Sequence, residues 1–183
     1  MPKLRNTFAR SIARAKKLLA KWNTAITKTT LAVLNNKEVE LRSYNNPHPK
    51  DISELARIIK ADQAMHFRAP LQFSKRISEE CDGLYFQGRV YISERLTSPK
   101  DVATTLIHEV NHYLNQSDEH LETKKQVFKE EYRAAVAEYL GQNRPMTRNL
   151  YKICAQRVCE DYDVPLPEEH KPNPKPPKGI FYR

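Results

Sequence analysis

Over residues 1–34, Leu4, Phe8, Ile12, Ala15, Leu18, Leu19, Trp22 and Ile26 recur at three- and four-residue spacing and fall on one stripe at about 100° per residue. The spacing predicts a single amphipathic helix, with Arg10, Arg14, Lys17, Lys21 and Lys28 on its other side. After Asn35-Asn36 the pattern shortens to alternation in Val39–Tyr44, which predicts a strand. Asn45-Asn46-Pro47-His48-Pro49 breaks it, and residues 51–60 return to helical spacing through Ile52, Leu55, Ala56 and Ile59. Two β-forming runs, 84–86 and 89–92, flank Gln87-Gly88 and read as a hairpin.

Three further helices follow. Ser98-Pro99-Lys100-Asp101 places a capping hydroxyl, a proline and an acid where a helix starts, and that helix is expected to reach Asn115. A second is expected over 119–140, ending at Gly141, and a third from about Pro145 or Thr147 to Asp161. From Val164 the chain holds six of its twelve prolines, so an extended and largely disordered tail is expected. These elements predict an α+β fold: a small mixed or antiparallel sheet packed on helices, with a basic helical arm over 1–37, a domain over 38–163 and a proline-rich tail over 164–183.

Composition narrows the classes. The chain has 183 residues, 39% hydrophobic and 29% charged, enough for one modest core. No apolar run is long enough to span a bilayer. Three cysteines, Cys81, Cys154 and Cys159, with no CxxC pair, fit a reducing compartment better than a disulfide framework. Charge is unevenly placed. Nine of the 31 basic residues lie in residues 1–37, where there is no acid, and the remaining 22 match the 22 acids of the rest. The surplus of +9 belongs to the arm, which would suit an anionic membrane surface or a partner groove; no specific nucleic acid is expected. Charges interrupt every candidate apolar core of a Sec signal, so a cytoplasmic chain, or one exported by another route, is expected.

The chemistry concentrates in His108-Glu109-Val110-Asn111-His112. One helical turn separates the histidines, so both imidazoles leave one side of the helix and can share a Zn²⁺. Glu109 adjoins the pair, placed to take a proton from a water that the metal would hold. On the same helix Val102, Ala103, Leu106, Val110, Tyr113 and Leu114 share the opposite arc, so the histidines are expected to face a cleft.

The pentapeptide resembles the HExxH helix of the zincin metallopeptidases, and the likeness extends in element order over about residues 84–140. It implies a minimal zincin-like fold, zinc, and hydrolysis of a protein or peptide substrate by a metallopeptidase, most simply an endopeptidase. It also implies that a strand before the helix pairs with the substrate backbone. In the gluzincin-like pattern a glutamate on a following helix completes the ligands. Glu131 falls inward between Val127 and Ala135, whereas Glu130 falls with Gln126, Arg133 and Ala137 on an arc expected to be solvated. The metzincin-like alternative is Asp118, in the run HExxHxxNxxD, with Asn115 in place of the glycine that turns the chain and Met146 as its Met-turn.

Glu138, two turns beyond Glu131, is a candidate to orient a ligand histidine. The resemblance also implies an oxyanion-stabilising side chain, for which His120, Tyr139, Arg148 and Tyr151 are available. Cys81 could cap the metal as a thiolate, though a core cysteine is the simpler role. Small HExxH proteins of this sort also resemble bacterial effectors and toxins. Two other functions stay open at this point. One is a membrane- or partner-binding module that works through the arm, with a structural or vestigial metal site. The other is a zinc hydrolase of a non-peptide bond.

Overall fold

The computed structural model describes residues 2–44, 81–115, 123–172 and 174–180. The expected helix at 51–60, together with Asp118 and His120, lies outside the described residues. Among the described residues the chain forms five α-helices and a three-stranded mixed sheet, an α+β arrangement.

The expected N-terminal helix is two helices, α1 (Pro2–Trp22) and α2 (Ala25–Asn35). Asn23 takes a left-handed backbone (φ 52°), which asparagine tolerates better than most residues, and Thr24 caps α2 in a reciprocal box with Thr27. The apolar stripe runs straight across this break, so spacing alone does not reveal it. Ile12, Ala15, Leu19 and Ile26 are buried, with Phe8, Leu18 and Trp22 packed at the margin.

Strand β1 (Glu40–Ser43) pairs parallel to β3 (Arg89–Ile92), which pairs antiparallel to β2 (Gly83–Phe86), giving the order β1-β3-β2. Gln87 and Gly88 both have positive φ, the turn whose twist matches that of the hairpin. Helix α3 (Pro99–Leu114) begins where the sequence predicts, with Ser98 Oγ accepting from the amides of Lys100 and Asp101. It is the central element, packed against α1, α2, β2 and β3 and against α4 (Lys124–Gly141). Helix α4 starts at Lys124, with Thr123 capping it in a box with Gln126; the expected start at 119 lies outside the described residues. Helix α5 (Arg148–Tyr162) packs on α4 and ends one residue beyond the expected stop.

The tail does not hang free. Val164 and Ile180 are buried, the Tyr132 hydroxyl donates to the carbonyl of Lys175, and Arg133 Nε donates to that of Lys178. His170 stands edge-on to Phe128 and Tyr132. This strap changes the environment of α4. Arg133, expected on a solvated arc, is 6% exposed because the tail covers it, and it pairs with Glu130 at 3.1 Å. No helix among the described residues is long and apolar enough to cross a membrane.

Candidate metal centre

Helices α3 and α4 lie side by side, and the histidine face of α3 meets α4 rather than an open cleft. His108 and His112 project one turn apart, their ring centroids 4.8 Å from each other. Across the interface, Glu131 reaches both: Oε2 lies 3.1 Å from His108 Nε2 and Oε1 lies 3.6 Å from His112 Nε2. The three side chains are only 12–13% exposed. Among the described residues they form a group able to hold a metal, one donor atom from each lying within 4.8 Å of the others. Donors at tetrahedral angles around zinc, each about 2.0–2.1 Å from it, stand roughly 3.3 Å apart. The two contacts, 3.1 and 3.6 Å, end on different oxygens of Glu131, and the group as a whole is compact enough for its three side chains to close on one ion.

The expected alternative fares differently. Asn115 ends α3 with φ −97° and ψ 5°, so the left-handed turn needed to fold the chain back toward the metal is not made there. Its side chain instead donates to the carbonyl of Asn111. Met146 packs at the edge of the core.

Two further carboxylates adjoin the group. His108 Nδ1 lies 2.6 Å from Glu138 Oε1, a charge-assisted hydrogen bond in which the imidazole donates. Arg157 of α5 grips the same carboxylate with two bonds, at 3.1 and 3.2 Å, and itself lies 3.5 Å from Asp161. Glu138 is therefore at once a carboxylate on His108 and half of an ion pair with Arg157. Glu109 is 5% exposed and leans toward β2. The fit there is tight, since a Cβ on Gly83 would stand 2.7 Å from Glu109 Oε1.

Burial and charge shift these groups in opposite directions. Burial pushes Glu109 above the usual carboxylate range, and the neighbouring histidines only partly offset it. Glu131 is also desolvated, yet the two histidines hold it well below that range. Burial opposes charging of His108, but its hydrogen bonds to Glu131 and Glu138 outweigh this and carry it well above the ordinary imidazole range. A proton on His108 thus supplies part of the positive charge that the two carboxylates call for.

Tyr162, which no sequence motif singles out, joins the centre from α5. Burial, followed by the charge of Glu131, pushes its pKa well above the phenol range. A signal is present, because Tyr162 continues the stripe of Ala155 and Val158, seven and four residues earlier, that packs α5 inward. Of the residues named for the oxyanion, Tyr139 lies under the Arg144 guanidinium, Tyr151 packs at the core margin and Arg148 is exposed. Cys81 is half-buried and is not part of the His-His-Glu group.

No family model, curated protein or solved structure matches this chain.

Proposed function

We propose that the protein is a zinc-dependent peptidase of the zincin kind, most simply an endopeptidase acting on protein. The observation that carries this reading is the meeting of His108 and His112, on the helix that also carries Glu109, with Glu131 of α4 in a group compact enough to hold one metal ion. His108, His112 and Glu131 would hold the ion. When bound, zinc supplies a Lewis acid that makes water acidic and polarises a carbonyl.

The chain's own residues do the rest. Glu109, with its pKa raised by burial, is a stronger base than an ordinary glutamate and accepts the proton of the attacking water. Glu138 fixes the ring of His108 through Nδ1 and leaves Nε2 turned to Glu131, and Arg157 keeps Glu138 charged and in place. Among the described residues strand β2 is an edge strand packed on α3, so an extended peptide pairing with it would pass beside Glu109. The three cysteines form no disulfide, which suits a reducing compartment.

The test is metal content by elemental analysis of the wild type, Glu131→Ala and Asp118→Ala. About one zinc per chain is expected in the wild type and in Asp118→Ala, with loss in Glu131→Ala. Loss in Asp118→Ala alone would shift the third ligand to the metzincin-like position. A wild type that takes up no zinc even when supplied with it would end the proposal.

A further inference from the structure

Helix α1 commits its apolar stripe to the interior, and what it leaves outside is cationic. Ile12, Ala15 and Leu19 are buried. Across the helix from them, Arg10, Arg14, Lys17 and Lys21 fall within an arc of about 60° on a 100° wheel. All four are exposed. At 1.5 Å per residue they span about 16 Å along the axis. The outward positions beside them are Ala9, Ala13 and Ala20, and half-buried Leu18 and Trp22 run along one border. Residues 1–37 hold no acid, and none of the four cations has an ion pair among the described residues. Lys16, turned toward α2, behaves differently: its ammonium donates to the carbonyl of Leu34 and to Asn35 Oδ1.

We propose that this face of α1 docks the protein on an anionic lipid bilayer, lying flat with Arg10, Arg14, Lys17 and Lys21 against the headgroups. An amphipathic helix ordinarily binds membranes by sinking its apolar face, but here that face is packed in the core. Docking is therefore peripheral and electrostatic: reversible, weakened by salt and dependent on anionic lipid. A lipid surface suits the face better than nucleic acid does. Alanines between the cations offer nothing that could bond to a base edge, whereas a row of charge bordered by tryptophan matches a charged plane with an interfacial layer. The proposal does not depend on the metal centre.

Each cation near an anionic surface contributes roughly five-fold to partitioning, so removing four should cost on the order of several hundred-fold. The experiment is sedimentation of the full chain with vesicles of phosphatidylcholine, with and without about one-third phosphatidylserine, at roughly 0.1 M salt. The wild type should bind the mixed vesicles and not the neutral ones. The quadruple variant Arg10→Gln, Arg14→Gln, Lys17→Gln and Lys21→Gln should lose binding while keeping its circular dichroism. Should that variant fail to fold, the pair Lys17→Gln and Lys21→Gln should still lose roughly 25-fold. Undiminished binding by the folded variant would overturn the proposal, as would equal binding to neutral vesicles. So would duplex DNA that binds more tightly than the vesicles at the same salt and displaces the protein from them.

Discussion

Helix α3 is held between α1 on one side and α4 on another, and the two contacts are built from opposite chemistry. The α1 side joins Ile12, Ala15 and Leu19 to the cluster that contains Ala103, Leu106 and Val110. Burying one such aliphatic side chain stabilises by about 1.5–3 kcal/mol, whatever the pH or metal. The α4 side sets two largely buried carboxylates, Glu131 and Glu138, against His108, His112 and Arg157. Desolvated charge costs stability unless it is paired. One helix thus carries an apolar contact on one side and a charged one on the other, and the proposed metal would add positive charge to the second.

The comparison is broken most severely by removing the proposed base. Glu109→Gln keeps size and position but cannot accept a proton. Turnover of a protein substrate should fall about 10²–10⁴-fold, while zinc content and thermal midpoint stay close to wild type. Cleavage at the wild-type rate would remove Glu109 from the chemistry. Leu19→Ala is the counterpart on the other contact. Leu19 is fully buried, so truncation should cost about 2–5 kcal/mol in denaturant unfolding. The loss should be the same with and without zinc; a loss seen only in the zinc-loaded protein would show that the two contacts are not independent.

These two contacts are not equally legible in the sequence. The apolar contact follows from periodicity, because a stripe buries wherever a partner can be found, and Ser98 and Pro99 mark the start of α3 by their residue types alone. The pentapeptide and the inward angle of Glu131 point to the centre. Two features are hidden for physical reasons. Arg133 and Glu130 look solvated because proline content suggests a free tail, whereas the buried Ile180 and the hydrogen bonds to Lys175 and Lys178 pin it to α4. Tyr162 and Arg157 reach the centre from α5, and a contact between distant helices has no local signature. Helical periodicity tells which side of a helix is buried without telling what lies against it.

A sharper test concerns the support behind His108. Glu138→Gln removes the charge from the partner of Nδ1 while leaving an amide of the same shape, and it strands Arg157. Zinc affinity, measured by competition with a chelator, should fall about 10–100-fold, with turnover of the fully loaded protein changed less. Arg157→Gln should move affinity in the same direction by less, since Glu138 would keep its bond to His108. Unchanged affinity in Glu138→Gln would reduce that carboxylate to an ion pair.

The smallest expected effect joins the sheet to the centre. Gly83 is the first residue of the edge strand, and a Cβ there would come within 2.4 Å of Thr105 Cγ2 and 2.7 Å of Glu109 Oε1. Thr105 cannot swing aside freely, because its hydroxyl donates to the carbonyl of Asp101 at 2.8 Å. The yielding group is then Glu109, or the strand itself. Gly83→Ala should cost about 1–3 kcal/mol of stability through overpacking. Turnover should fall with zinc content unchanged, because the ligands of the other face are not touched. If Gly83→Ala unfolded more easily yet turned over at the wild-type rate, the strand would have yielded and Glu109 would have stayed. The close approach of β2 would then serve packing alone, and the base would owe its position to α3.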